Sequence, residues 1–278
     1  MTSTVAEPAV GLPQALHRVA VDALAAPVPD GRLHLQRDGA WLWGALDVDD
    51  GGDLEAAAHA AYGQVFAALR DAGAPRLLRL WNYLPRIHDD EAGLERYRRF
   101  NAGRQRAFIE AGASAFEGAP AACALGRRGG PLGLRFLAAP LATRTVENPR
   151  QVPAWRYDTR FGPKSPSFSR ALVAELGAGR ELLLVSGTAS IAGQESLHHG
   201  DVAAQTQETL VNLRAVCSAA GARFDVRQLQ STVYLRDLHD RGAVQPLLEA
   251  AGLPVVAWLQ ADVCRRELLV EIEGHAVA

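Results

Sequence analysis

An internal repeat constrains the fold of this sequence more than any other feature. In the second half, Asp201 precedes a stretch with apolar residues at helical spacing, which ends at Gly221. In the first half, Asp53 precedes a similar stretch, which ends at Gly73. Each predicted helix follows an apolar hairpin candidate, residues 33–48 or 182–193, and precedes a strand, a second helix and a Pro-led final hairpin region. The pattern β-β-α-β-α-β occurs twice and predicts a duplicated α+β unit, with a sheet covered on one face by helices.

Length and charge limit the classes of protein to which the chain can belong. With 278 residues, 48% of them hydrophobic and 22% charged, it is long enough to bury the cores of two domains. Its formal net charge of −2 is unlike the basic footprint of nucleic-acid-binding proteins. We therefore expect no nucleic-acid partner.

The cysteines and apolar runs indicate a soluble protein of a reducing compartment. Cys123, Cys217 and Cys264 are odd in number and lack C-x-x-C spacing, which argues against a disulfide framework and a thiolate metal site. The first residues lack a basic region followed by an apolar one, and no later apolar run reaches membrane-spanning length. We expect a cytoplasmic protein with no membrane association.

Three stretches contain residue types that are common in metal or cofactor sites. Residues 88–91 and 198–201 combine histidine with acidic residues, yet neither has a third, distant ligand. The glycines between 126 and 133 lack the strand-turn-helix context of a dinucleotide site and favour a hairpin turn. We expect neither a metal ion nor a cofactor.

A strand near the C-terminus carries two acidic residues in an otherwise apolar run. In LLVEIEG, Glu271 and Glu273 share one face of the strand, and Val270 and Ile272 lie on the other. The pattern fits a carboxylate that does chemistry, and it also fits two glutamates that face solvent. Position in the sequence alone does not separate these alternatives.

Three segments of the second half resemble the YjgF/RidA family of enamine and imine deaminases. They are LLLVSGTASI, the stretch from DVAAQTQETL to STVYLRDL, and LLVEIEG, and the likeness covers roughly residues 181–274. The resemblance implies a chorismate-mutase-like fold, in which trimers have active sites in the clefts between adjacent units.

A more specific resemblance, to the chorismatases, runs from about residue 80 to the C-terminus. The segments WNYLPRIHDDEAGLERYRRFNAGRQRAF, ENPRQVPAWRYDTRFGPKSPSFSRA and SGTASIAGQESLHHGDV carry it. It implies two RidA-like α+β domains, each a mixed sheet covered by helices, which form part of a pseudo-trimer. We expect an N-terminal extension over 1–29, a degenerate RidA-like domain over 30–146, and a connecting segment with the catalytic domain over 147–278. A monomer is expected, with a trimer as the alternative.

One position separates the two families. RidA deaminases hold the substrate carboxylate with an arginine on the strand before VEIEG, and an ungapped alignment puts Val256 there, which cannot form that ion pair. The family glutamate falls on Glu271, which the resemblance to chorismatases implies as the catalytic acid. The chorismatase interpretation is favoured. A deaminase and a non-catalytic ligand-binding protein remain as alternatives.

The chemistry of chorismate explains the need for an acid. Chorismate is an enol ether, and release of its enolpyruvyl group as pyruvate begins with protonation of the terminal methylene. A carboxyl group remains protonated near neutral pH only where burial raises its pKa, and an apolar strand provides that desolvation. Glu271 is therefore the predicted acid, and Glu273 is expected on a solvated face.

Chorismate also carries two carboxylates, which call for cations and hydroxyl donors. The resemblance favours Tyr157 and Arg170 of the connecting segment, followed by Arg150 and Arg156, and Tyr83 is a candidate from the first domain. The alternatives are a basic linker with solvated charges and a core position for the tyrosine.

Two further positions bear on the product. Some chorismatases hydrolyse chorismate to a dihydroxycyclohexadiene acid, and others form 3-hydroxybenzoate through a ring attack that gives an arene oxide. The second type resembles this chain in having a cysteine seven positions before the glutamate, here Cys264, and a glycine in the facing strand, here Gly187. We therefore expect 3-hydroxybenzoate and pyruvate, with 4-hydroxybenzoate as a side product and the diene acid as the alternative product.

Overall fold

In both halves of the chain, two helices cover one face of a mixed sheet. The computed structural model describes residues 30–73 and 75–278, so the expected extension over 1–29 lies outside the described residues. The α+β architecture predicted from the repeat is confirmed. None of the helices in the described ranges is long and apolar enough to cross a membrane.

The first domain has a five-stranded sheet in the order β1-β2-β7-β3-β6, with β3 and β6 parallel and the other pairs antiparallel. Its strands are β1 (His34–Asp38), β2 (Trp41–Val48), β3 (Arg76–Pro85), β6 (Ala121–Arg127) and β7 (Leu132–Ala139). Its helices are α1 (Leu54–Asp71) and α2 (Arg96–Glu110), and a short pair, β4 (Asp90–Glu91) and β5 (Leu94–Glu95), precedes α2.

The second domain repeats this arrangement with one more strand, in the order β14-β13-β15-β10-β9-β8. Its sheet comprises β8 (Thr143–Val146), β9 (Ala171–Gly177), β10 (Arg180–Thr188), β13 (Gln230–Leu235), β14 (Val255–Gln260) and β15 (Val270–Val277). Its helices are α3 (Val202–Ala220) and α4 (Arg241–Ala250), and a short pair, β11 (Ile191–Ala192) and β12 (Glu195–Ser196), precedes α3.

The long helix of each domain begins at the predicted aspartate. Asp53 accepts a hydrogen bond from the Ala56 amide at 3.1 Å, and Asp201 accepts one from the Ala204 amide at 2.9 Å. Each bond satisfies an amide that the first turn of a helix leaves unpaired. The apolar faces of these helices are buried against their own sheets, so each domain has its own core.

Three local expectations differ from the structure. The hairpin of the second half joins β9 to β10 through Ala178 and Gly179, both with positive φ, so only its second strand lies within the expected range. The final strands of each half do not form a hairpin, because β6 and β7 flank β3, and β14 and β15 flank β13. Thr143–Val146, expected in the first domain, is an edge strand of the second sheet because it pairs with β9.

The two sheets pack against each other through the faces that carry no helices. A third apolar cluster fills this interface and contains Trp41, Trp81, Tyr83 and Leu137 from the first domain with Leu172, Leu184 and Tyr234 from the second. Backbone bridges from Ala121 to Ser169 and from Gly126 to Asp262 join the domains at β6. Residues on the interface face of either sheet are therefore removed from water by the other domain.

Strand β15 lies between the helix-covered core and this interface. Val270 and Ile272 belong to the core of the second domain, as the alternating pattern predicts. Glu271 and Glu273 are only 3% and 5% exposed, because they point toward the first domain. The expected solvated face is therefore wrong for Glu273, since the second sheet packs on the first through that face.

Candidate active site

A cavity of about 390 Å³ lies between the two domains, beside the interface cluster. The first domain, the connecting segment and the second domain all contribute to its wall. The lining residues with reactive or polar groups include Tyr97, Arg104, Cys123, Tyr157, Arg170, Cys264, Arg265 and Glu271. Three of the eight are arginines, and Glu271 lines the same cavity.

The carboxyl group of Glu271 is buried in the wall of this cavity. Its side-chain atom Oε1 has no hydrogen-bond partner within residues 30–73 and 75–278. Burial raises the pKa of Glu271 to about 8, and the positive charges of Arg79 and Arg170 oppose that rise. A carboxyl group in this state is a proton donor at neutral pH.

Gly187 faces Glu271 from strand β10, next to an irregularity in the pairing of β10 with β15 between Val185 and Thr188. A Cβ atom at position 187 would overlap Oε1 of Glu271, would lie 2.6 Å from its Cδ and would lie 3.1 Å from Cβ of Cys123. The position therefore has no room for a side chain beside the carboxyl group. The absence of a Cβ lets the acid lie against β10 in the wall of the cavity.

Arg170 and Tyr157 form a pair in the wall. Arg170 is 5% exposed, and its Nη2 donates to the Tyr157 hydroxyl at 2.6 Å and to the Val152 carbonyl at 3.1 Å. Its Nε has no acceptor in the described part of the chain. The Arg265 guanidinium lies over the Tyr157 ring, 5.2 Å from the centroid. These contacts hold a cation and a hydroxyl donor in fixed positions.

Cys264 also lines the cavity, in the loop that leads into β15. Burial raises the pKa of its thiol to about 12, and the neighbouring Glu271 carboxyl group contributes in the same direction. The group is therefore a neutral thiol at neutral pH. It can donate a weak hydrogen bond, and it is a poor nucleophile in this state.

Three residues with expected binding roles lie outside the cavity. Tyr83 is fully buried in the interface cluster, because β3 packs directly on the second sheet. Arg150 pairs with Glu208 at 2.7 Å, and the Arg156 guanidinium lies over the Trp155 ring, 4.4 Å from its centroid. Packing in the interface cluster, an ion pair and a ring contact therefore account for the positions of these three side chains outside the cavity wall.

Arg104 is a lining residue that sequence analysis missed. It is 2% exposed, its Nη2 donates to the Ser167 carbonyl, and its Nε has no partner among the described residues. The sequence around Arg104 on α2 does contain a pattern that indicates its burial. Arg104 lies four residues from both Phe100 and Phe108, so the spacing puts an arginine within a buried apolar stripe.

Sequence analysis also missed Cys123, Tyr97 and Arg265. Cys123 was noted only for its part in the cysteine count, and it faces Gly187 from β6. Tyr97 follows the first residue of α2, and burial raises the pKa of its hydroxyl well above the usual range. No pattern within either segment indicates a site, because the cavity forms only when the domains pack.

The buried carboxylate of Glu273 has a different environment from that of Glu271. It forms an ion pair with Arg79, and it accepts hydrogen bonds from Trp81 Nε1 at 3.0 Å and from the Tyr234 hydroxyl at 2.7 Å. Three donors hold the ionised form of the group. The two glutamates of one strand are thus an unpaired acid in the cavity and a paired carboxylate in the interface.

The acidic and histidine-containing loops form no cluster of the kind that holds a metal ion. Within residues 30–73 and 75–278, no three His, Cys, Asp or Glu side chains come together in this way. His88, at the first of these loops, is within 2.8 Å of the Val263 carbonyl, and thus links the two domains.

Both halves of the chain match known protein families. A family model described as "Chorismatase FkbO/Hyg5-like, N-terminal" matches residues 20–138, and one described as "Endoribonuclease L-PSP" matches residues 165–278. The second match coincides with the region that resembles the YjgF/RidA proteins. The two matches together cover both domains.

Whole-chain relatives carry both domains as well. A 3-hydroxybenzoate synthase of Streptomyces hygroscopicus is 38% identical over 253 residues, which are 85% of this chain and 74% of the relative. A chorismatase of Streptomyces rapamycinicus is 38% identical over 249 residues, which are 84% and 74% of the two chains. A crystal structure of a chorismatase superposes with a TM-score of 0.82 at 34% identity, and covers 90% of this chain and 80% of that one. With both domains matched along most of their length, the chain belongs to the chorismatase family.

Proposed function

We propose that this protein converts chorismate to 3-hydroxybenzoate and pyruvate, with Glu271 as the general acid. The observation that carries the proposal is the unpaired carboxyl group of Glu271 in the cavity wall, with its pKa raised to about 8. Such a group is protonated at neutral pH, and no described residue competes for its proton. The names of the 3-hydroxybenzoate synthase and chorismatase relatives support the substrate class.

The first step is transfer of the Glu271 proton to the terminal methylene of the enolpyruvyl group. The methylene becomes a methyl group, and the neighbouring carbon becomes an oxocarbenium ion. The carboxylate left on Glu271, which is itself buried, stabilises that cation. Proton transfer and charge stabilisation thus use the same side chain.

The second step determines the product. In the proposed route, the ring hydroxyl oxygen attacks the adjacent ring carbon and its proton returns to Glu271. The bond between that carbon and the ether oxygen breaks, the ether oxygen becomes the keto oxygen of pyruvate, and the resulting arene oxide opens and aromatises to 3-hydroxybenzoate. Pyruvate leaves, and the atoms of the two products sum to those of chorismate with no added water. The diene acid requires one water in place of the internal attack.

Two buried arginines suit the two carboxylates of chorismate. Arg104 and Arg170 both line the cavity, and neither guanidinium is paired with a carboxylate within residues 30–73 and 75–278. A buried cation without an acidic partner is costly, and an anionic ligand would relieve that cost. We assign these two residues, with the Tyr157 hydroxyl, to substrate binding.

Gly187 and Cys264 support the assignment to 3-hydroxybenzoate. Because position 187 has no Cβ, the Glu271 carboxyl group can lie against β10, which leaves the cavity itself to the ring as it turns toward internal attack. The neutral Cys264 thiol lines the same cavity and can steer the opening of the arene oxide without acting as a base. The name of the Streptomyces hygroscopicus relative agrees with this product.

The deaminase alternative has less support. Val256, at the position of the carboxylate-binding arginine of RidA deaminases, lies on strand β14, is 40% exposed and carries no charged group. The non-catalytic alternative gives no account of an uncharged, unpaired carboxyl group in the cavity.

The experiment is incubation of the purified protein with chorismate, with pyruvate followed through lactate dehydrogenase and the aromatic product identified by chromatography. We expect equal amounts of pyruvate and 3-hydroxybenzoate. Pyruvate at the spontaneous background rate would refute the chorismatase activity. Pyruvate with only the diene acid would retain that activity and refute the product.

A further inference from the structure

A buried ion pair between the two sheets lies next to the acid, and its Glu273 is on the same face of β15 as Glu271. Arg79 of β3 pairs with Glu273, and its Nη1 also donates to the Val185 carbonyl at 2.7 Å. Both side chains of the pair are almost completely buried, with exposures of 2% and 6%. Breaking such a pair by removing one partner leaves an uncompensated charge in the interface.

This pair lies within electrostatic range of Glu271. Glu271 and Glu273 are two residues apart on β15 and share a face, so they are separated by about 7 Å. Arg79 has the largest effect among the groups that favour ionisation of Glu271, followed by Arg170. An unpaired Arg79 would therefore draw the proton from the acid, because a cation stabilises a nearby carboxylate.

We propose that Glu273 is a positioning residue whose carboxylate neutralises Arg79 and so keeps that cation from ionising the acid Glu271. The inference rests on the proposed role of Glu271 as general acid. Glu273 touches no part of the cavity that holds substrate and acts through the charge of Arg79. Trp81 and Tyr234 donate to Glu273, and thus keep it ionised for this task.

The other titratable groups around Glu271 do not replace this function. Cys123 of β6, Tyr234 of β13 and Cys264 of the preceding loop are neutral, since burial raises the pKa of each. Arg170, from the start of β9, is the second cation that acts on Glu271, and it is assigned to a substrate carboxylate. Of these groups, Glu273 is the acid that opposes Arg79.

The test is the pH dependence of kcat/KM for chorismate in four proteins: wild type, Glu273→Gln, Arg79→Gln and the double variant. The wild-type rate is expected to fall as pH rises through about 8, where Glu271 loses its proton. Glu273→Gln leaves Arg79 uncompensated and moves this descending limb to lower pH by about one to two pH units, for a unit charge at this separation. Arg79→Gln moves it to higher pH. The double variant removes both charges and returns the limb to within a few tenths of a unit of wild type, by cancellation.

A second readout does not need turnover. The infrared band of a protonated carboxyl group reports the protonation of Glu271 without substrate, and the band that disappears in Glu271→Gln is assigned to this residue. The titration of this band should move to lower pH in Glu273→Gln, to higher pH in Arg79→Gln, and back to near the wild-type value in the double variant. If the wild type makes no pyruvate, the proposed function fails, and this titration still decides the inference. Asp47→Asn is the matched control, since it breaks the buried pair with Arg135, at 2.7 Å, and should leave the titration unchanged.

Two results would overturn the inference. One is a Glu273→Gln protein whose acid titrates as in wild type. The other is a double variant displaced as far as Glu273→Gln, which would assign the effect to lost packing rather than to charge. If Glu273→Gln does not fold, the comparison of Arg79→Gln with the double variant decides, because the former must titrate at higher pH than the latter.

Discussion

Substitution of Gly187 by alanine tests the geometry of the site directly. The added Cβ would overlap Oε1 of Glu271 and would lie 2.6 Å from its Cδ, whereas non-bonded carbon atoms prefer separations of about 3.5–4.0 Å. The backbone is held on both sides of Gly187, because the Ser186 amide donates to the Arg170 carbonyl and Thr188 pairs with Ile272 of β15, so the carboxyl group is the part that moves. The shortfall at Cδ requires a displacement of about 1 Å.

The expected cost follows from that displacement. A misplacement of a catalytic group by about 1 Å lowers the rate by about 100-fold, which corresponds to about 2.7 kcal/mol of activation free energy. The displaced carboxyl group would enter the space in which the ring turns toward internal attack. We therefore expect kcat to fall by about 100-fold and the remaining product to shift toward the diene acid.

The assay is steady-state pyruvate release combined with chromatography of the aromatic and diene products. Gly63→Ala is the matched control, because a Cβ there meets nothing within 4 Å and the position lies within helix α1. It should retain wild-type kinetics and unfold at a slightly higher temperature, since alanine is the better helix former. Wild-type kcat and wild-type products for Gly187→Ala would refute the assignment of this contact.

Four further predictions concern the acid and the cavity wall. Glu271→Gln should lower kcat by about 100-fold to 10,000-fold with little change in KM, because it removes the proton donor and keeps the shape of the side chain. A change in KM alone, measured by steady-state kinetics, would contradict this prediction. In denaturant titrations, the same variant should have a larger free energy of unfolding than wild type above about pH 5, and the difference should grow toward pH 8. The reason is that burial raises the folded-state pKa of Glu271 from 4.5 to about 8, so wild type loses stability as pH rises through that window. An equal pH dependence of unfolding in both proteins would show that Glu271 does not titrate this way. Cys264→Ala should retain pyruvate release and change the ratio of 3-hydroxybenzoate to other products in chromatography, and an unchanged ratio would exclude the thiol from product control. Arg104→Gln should raise KM for chorismate by about tenfold to 100-fold through loss of a charge-assisted hydrogen bond, and an unchanged KM in a folded variant would remove this residue from the binding site.

Local sequence patterns were sufficient where neighbouring residues determine the structure. The caps at Asp53 and Asp201 depend on amides three residues away, and the helices that follow them depend on spacing within a few turns. Alternation along LLVEIEG likewise separated the two faces of β15. The resemblance to chorismatases then added a role for Glu271, which neither composition nor spacing supplies.

The tertiary structure determined what each face of those elements meets. Glu273 was expected in water because glutamate usually is, and it is buried because a second sheet brings Arg79 and Trp81 to it from about 190 residues away. Arg104 and Cys123 became cavity residues for the same reason, whereas Tyr83 became part of the interface core. Local patterns specify which way a side chain points along its own helix or strand. Its burial, charge pairing and pKa depend on the atoms that the other domain places against it. Those contacts are formed only by the packing of the two sheets.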